Sequence, residues 1–198
     1  MAEMIFDDVH KELRERLMRF DMTLRGLLYI RGVVPFEEAL EHLVQDAMET
    51  DDPDDIRLCQ RYLHISCDFI CRMDGRRFLL HPGLAEPEPF IAAMGSSLPP
   101  RMDEMTLLSA VAGILPEEAE TTLQMIGLIQ DAVRPETNED EAVQDLRILA
   151  KQGVGMRDMQ EVLASMLTQQ PTPAMLQGLR QLVSQTTRWG GMKAAVLN

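Results

Sequence analysis

The stretch Cys67-Asp68-Phe69-Ile70-Cys71-Arg72-Met73, then Asp74-Gly75, then Arg76-Arg77-Phe78-Leu79-Leu80-His81 decides how the rest of the chain is read. Two short apolar-rich runs flank an Asp-Gly pair. Both members of that pair tolerate positive φ, so it closes a two-residue β-hairpin. The stretch predicts strand, tight turn, strand. It is also locally basic. From Arg57 to His81 there are five arginines (57, 61, 72, 76 and 77) against Asp68 and Asp74, in a chain of 198 residues with a net charge of −13.

Upstream of the hairpin the apolar residues step by three and four. Phe6, Val9, Leu13, Leu17, Phe20, Leu24 and Leu27 make one face of a helix from about Ile5 to Ile30, with Lys11, Arg14, Glu15 and Arg19 opposite. A stripe that long is expected to bury against the rest of its own chain, and it also suits a two-helix seam in a dimer. Gly32 is the expected stop. Val33-Val34 read as a short link, and Pro35 suits a first helical position, followed by the first-turn acids Glu37 and Glu38. The acidic run Asp51-Asp52-Pro53-Asp54-Asp55 reads as a cap and first turn of a third helix, to about Ser66. It lacks the central Gly and ligand spacing of a calcium loop. Three helices, a short apolar link and a closing hairpin, in that order over residues 5–81, resemble a winged-helix domain. The resemblance is one of architecture and implies a wing tipped with arginine.

Downstream, His81 to Pro100 is punctuated by Pro82, Gly83, Pro87, Pro89, Gly95, Pro99 and Pro100 and reads as a connector, with Phe90-Ile91-Ala92-Ala93-Met94 docking as one turn. Helical patterns then follow to about Gln185, with Asn138 as a cap and Gly153 as a stop. Short connections between them predict a small bundle. The expected division is 1–81 winged-helix-like, 82–100 connector, 101–187 helical bundle and 188–198 flexible tail, in a mainly α protein. The stretch Leu146-Arg147-Ile148-Leu149-Ala150-Lys151-Gln152-Gly153-Val154-Gly155-Met156-Arg157-Asp158-Met159, continued through Leu167, is similar to a segment near the end of the cytoplasmic export-gate domain of type III secretion systems. What that similarity implies is shared helix-turn-helix packing. Asp158 and Glu161 on its second helix are poor groups for reading DNA.

Composition sets outer bounds. Hydrophobic residues are 45% of the chain, enough for a sizeable core, but aromatics are 5% and Met numbers 15, so the core is expected to be aliphatic and Met-filled. The opening residues carry Glu3, Asp7 and Asp8 rather than a cationic, apolar leader. No apolar run approaches the roughly 18 residues a membrane helix needs. The expectation is a soluble, cytoplasmic protein with reduced thiols and no membrane partner.

Cys59, His64, Cys67, Cys71 and His81 cluster in sequence as zinc ligands would, but in a spacing without the C-x2-C pair that nucleates a zinc knuckle or ribbon. Buried free thiols are the expected state, with no metal and no cofactor. The chain has no G-x-S-x-G, no Gly-rich phosphate loop and no H-E-x-x-H. The acid groups Glu117-Glu118-Ala119-Glu120 and Glu139-Asp140-Glu141 sit at helix starts, where the dipole and solvent account for them. No catalytic residue is assigned, and an enzyme is not expected.

Two surfaces remain as candidates for binding. Arg72, Arg76 and Arg77 flank the hairpin turn, where they serve a protein partner, contact phosphates, or are simply solvated. Nucleic acid is disfavoured by the net charge of −13 and by Asp51, Asp52, Asp54 and Asp55 on the preceding helix. Trp189, the only Trp, lies beside Arg188 in a stretch without acids from Val162 to Asn198. It reads either as the anchor of a docking peptide or as a cap folded back on the bundle. Together these features predict a non-enzymatic adaptor or assembly factor that binds another protein, or itself through the first helix. A winged-helix DNA-binding regulator using the arginine hairpin is the alternative.

Overall fold

The structure is a computed structural model that describes residues 2–47, 53–66, 70–94 and 103–189. In chain order its elements are α1 (Ala2–Arg31), β1 (Val33–Pro35), α2 (Phe36–Ala47), α3 (Pro53–Ser66), β2 (Ile70–Met73), β3 (Arg76–Leu80), α4 (Glu88–Ala93), α5 (Glu104–Val111), a 3-10 turn (Pro116–Glu118), α6 (Ala119–Ile129), α7 (Glu139–Gln152), α8 (Met156–Met166) and α9 (Pro173–Gln185). The protein is mainly α, as the periodicity predicts. The Asp51–Asp52 cap, the Cys67–Phe69 part of the hairpin and residues 95–102 and 190–198 lie outside the described residues, as do the side chains of Phe6 and Val9.

The chain forms two compact units. One comprises residues 1–82 with 95–112, and the other residues 83–94 with 113–198. This division differs from a cut after a connector at residue 100, because α4 belongs to the second unit and α5 to the first.

In the first unit, α1 stops at Gly32, whose φ of +73° and N–H bond to Leu28 O at 2.7 Å make the left-handed helix end that glycine favours. The Asp-Gly turn forms as expected. Asp74 and Gly75 both have positive φ, 51° and 76°, and set the register Met73↔Arg76 and Arg72↔Arg77. One expectation is corrected. Val33 to Pro35 is a third strand rather than a link, paired Val33↔Leu80, Val34↔Leu79 and Pro35↔Phe78. The sheet order is β1-β3-β2, so Pro35 sits on an edge strand, where its missing N–H breaks no ladder bond, and α2 begins at Phe36. Phe20, Leu24 and Leu27 of α1 close the core with Phe36, Leu43, Leu63 and Leu79, all buried. α5 packs along α1. It starts at Asp103, whose carboxylate accepts the Thr106 N–H at 2.9 Å, a bond that holds the carboxyl below its usual range.

The second unit is helical. Asn138 caps α7, its Oδ1 accepting the N–H groups of Asp140 and Glu141 at 2.9 and 3.1 Å, and Gly153 ends it at φ +79°. Thr172 caps α9 by accepting the Met175 N–H at 3.2 Å. Met125, Ile129, Val143, Leu146, Met159, Leu163, Leu179 and Leu182 fill the core. Gly178 lets α9 approach α6: a Cβ there would lie 2.6 Å from Leu128 Cδ1.

Candidate functional site

The arginines of the hairpin divide into two kinds. Arg72 and Arg76 are exposed beside the turn. Arg76 leans over the Phe78 ring at 5.2 Å from its centroid. Arg77 is half-buried and committed to the fold. Its guanidinium stacks over Phe36 at 3.7 Å, its Nη2 donates to Glu37 Oε1 at 3.3 Å, and its Nη1 lies 3.4 Å from His64 Nε2. A cation held by a ring and a carboxylate is a strut between β3 and α2. Of the three hairpin arginines Arg72 and Arg76 are exposed, but on opposite faces of the ladder, since Arg72 lies across from Arg77 and Arg76 across from Met73.

The second predicted surface is placed differently again. Trp189 is 1% exposed, with its ring edge-on to Phe90 at 6.3 Å between centroids and an interplanar angle of 83°. Of the two readings of this residue, folding back is the one observed. Arg188 lies against the end of α7, where a Cβ on Gly153 would be 3.5 Å from Arg188 Nη1, so its charge sits at the negative end of that helix dipole. The stretch Phe90-Ile91-Ala92-Ala93-Met94 does contain a docked helical turn, and Phe90 is the residue that anchors it.

Cys59 is buried in the core and Cys71 is half-buried in β2 opposite Phe78. His64 packs on Phe36 at 5.1 Å, and His81 lies 6.5 Å from the Tyr29 ring. Among the described residues, no three His, Cys, Asp or Glu side chains converge as a metal site. Cys67 lies outside the described residues. No helix among them is long and apolar enough to cross a membrane.

A charged cluster that sequence reasoning missed lies inside the second unit. Glu118, Arg147 and Lys151 are each 0% exposed. Lys151 Nζ donates to Glu118 Oε1 at 3.0 Å, and Arg147 Nη1 lies 3.5 Å from Glu118 Oε2. The Leu115 N–H also donates to Oε2, at 3.2 Å. Arg147 donates further to Thr186 Oγ1 at 3.0 Å, to the Glu118 carbonyl at 3.1 Å and to Thr122 Oγ1. Its Nε is buried without a partner. Burial pushes the Lys151 ammonium below the ordinary lysine value, against the pull of Glu118. The expectation that solvent and the helix dipole account for Glu118 is therefore corrected: it is a buried counter-ion tying the 3-10 turn to α7. A signal was present in sequence, since Arg147 and Lys151 stand one turn apart beside Val143, Leu146 and Ala150 in the apolar stripe of α7. The cluster has no solvent access and works as a clamp.

A groove of about 660 Å³ runs along α1, lined by Leu13, Arg14, Leu17, Met18, Asp21 and Met22, and bounded by Arg25 and Tyr62. Leu13 is 38% and Met18 59% exposed. Asp21 is fixed within it, pairing with Arg25 Nε at 2.8 Å and accepting the Tyr62 O–H at 3.0 Å. The long stripe predicted on this helix is thus buried at Phe20, Leu24 and Leu27 but open at Leu13. Apolar side chains beside fixed charges of both signs can hold an amphipathic helix in one orientation. Compared with known proteins, the chain matches no protein-family model, no curated protein and no solved structure.

Proposed function

We propose that the chain is a non-enzymatic, cytoplasmic adaptor or assembly factor whose partner is another protein docked in the α1 groove. The observation that carries this reading is the exposure of Met18 (59%) and Leu13 (38%) on a helix whose Phe20, Leu24 and Leu27 are already used in the core. Methionine side chains adapt to a partner's shape at low cost, which suits such a surface. The test is affinity capture from native lysate with the whole chain and with Met18→Glu, each with and without nuclease. A protein retained after nuclease and lost with Met18→Glu supports the reading. Capture indifferent to Met18 sinks it.

The second reading is a winged-helix DNA-binding regulator. The exposed pair Arg72 and Arg76 at the hairpin favours it. It requires duplex DNA binding that weakens with salt and with Arg72→Glu plus Arg76→Glu. Absence of binding at low salt ends it.

A further inference from the structure

The segment Gly83–Met94 belongs to the second unit, yet the chain on both sides of it, residues 1–82 and 95–112, belongs to the first. Chain continuity with the second unit therefore does not hold it in place. Its contacts do, as they would hold a bound peptide. Of its side chains only Leu84 and Phe90 are buried, each 8% exposed, while Ala85, Glu86, Glu88 and Pro89 face solvent. The Phe90 ring meets Trp189 edge-on at 6.3 Å. The Gln152 side chain brackets Leu84 through the main chain. Its Nε2 donates to the Gly83 carbonyl at 2.9 Å, and its Oε1 accepts the Ala85 N–H at 3.4 Å. Such pairing holds a peptide without reading its side chains, so specificity is left to the two anchors.

We infer that Gly83–Met94 is an internal ligand covering a peptide-binding surface of the second unit. Trp189 and Gln152 build that surface, and it takes a linear segment with two apolar anchors six residues apart, the second of them aromatic. The surface shares no residue with the α1 groove. A segment with so few buried side chains opens locally, without unfolding of α7 and α9. Tethering offsets its low affinity: a segment attached through its own chain acts at an effective concentration on the order of mM, which a competing peptide must exceed. Opening uncovers Trp189, which is 1% exposed with the segment in place. A large aromatic side chain of this kind is the usual anchor in recognition.

Trp189, the only Trp in the chain, reports the test directly, since a synthetic peptide of residues 83–94 contains none. In the full chain carrying Leu84→Ser with Phe90→Ser, acrylamide is expected to quench Trp189 more strongly than in the wild type, and the added peptide to restore the shielding. The peptide is expected to bind this variant about tenfold or more tighter than the wild type, because the internal competitor is gone. Changing the exposed Ala85, Glu86 and Glu88 in the peptide is expected to leave binding within about threefold, whereas Phe90→Ser in the peptide weakens it about tenfold or more. Gln152→Ala in the protein is expected to weaken it about fivefold. A variant with native circular dichroism that does not bind the peptide overturns the inference, and so does binding indifferent to Phe90. Hydrogen exchange of the wild type decides the matter where that variant does not fold. The Phe90 and Ile91 amides, bonded to Pro87 O at 3.1 and 2.9 Å, are expected to exchange about 100-fold faster than the core amides of α7 and α9. Equal protection would make the segment a permanent part of the fold and overturn the inference.

Discussion

Glu118→Gln isolates the contribution of one buried charge, because the amide keeps the carboxylate's shape. In the native protein Glu118 Oε1 is 3.0 Å from Lys151 Nζ and its Oε2 3.5 Å from Arg147 Nη1, with all three side chains sealed from water. At an effective dielectric of about 20, each contact is an attraction of roughly 5 kcal/mol before desolvation is set against it. The burial of Arg147 and Lys151 is not relieved when the anion goes, and the two cations are left facing each other. Breaking a buried pair in this way costs about 3–5 kcal/mol. Trp189, the only Trp and buried in the same unit, reports its unfolding directly by fluorescence. With a urea slope of about 2 kcal/mol/M, the midpoint is expected to fall by about 2 M. Replacing the whole cluster by Glu118→Leu, Arg147→Met and Lys151→Met removes the stranded charges and is expected to recover most of the loss, within about 2 kcal/mol of the wild type. A midpoint shift below about 0.5 M for Glu118→Gln would refute the electrostatic account. A triple variant as unstable as the single one would assign the loss to packing instead.

The folded-state value of Lys151 is lowered by burial, so unfolding takes up a proton between that value and 10.5, and the lysine's contribution to stability rises with pH across that interval. The wild type should therefore gain on Lys151→Met as pH is raised from about 7 to about 10, read by urea melts on Trp189, and a pH-independent difference would refute it. Arg77→Ala removes the stack on Phe36 and should destabilise the first unit by about 1–2 kcal/mol, while Arg72→Ala should stay within about 0.5 kcal/mol, as measured by circular dichroism. Equal effects of the two would mean that the stack contributes nothing. Gly178→Ala drives a Cβ to 2.6 Å from Leu128 and should lower the stability of the second unit by about 1–3 kcal/mol, with Leu128→Ala partly rescuing it. An unchanged melt would show that the α6–α9 contact yields freely.

What could be read in sequence followed the range of the interactions involved. The hairpin turn was legible because Asp74 and Gly75 carry their own conformational preference. So were the helix ends at Gly32, Asn138 and Gly153, which are set by local chemistry. β1 was not, because Val33 and Val34 become a strand only by pairing with Leu80 and Leu79, far along the chain. The return of α5 to α1 is hidden for the same reason. Glu117 and Glu118 are neighbours of one type, and nothing between them says that the first is exposed and the second buried against residues 29 and 33 positions away. The position of Trp189 was equally open, since a tail's course depends on what it meets, here Phe90.

The placement of the cations bears on the choice between a protein and a nucleic-acid partner. A polyanion responds to the charges at the surface, not to those in the sequence. Arg147 and Lys151 are withdrawn into the second unit with the single acid Glu118, which leaves the surface one unit more negative than the chain's formal −13. Arg77 is turned onto Phe36 and Glu37, so the hairpin presents fewer free cations than its sequence contains. The exposed cations include Arg72 and Arg76 at the hairpin and a group on α1, where Arg14 and Arg25 stand among Leu13, Met18 and Met22. Cations interleaved with exposed aliphatic and thioether side chains, and matched by a fixed Asp21, suit a partner with both charge signs and an apolar face. A phosphate backbone offers neither the apolar contact nor the matching cation, so the same residues that weaken the case for a duplex strengthen the case for a protein partner.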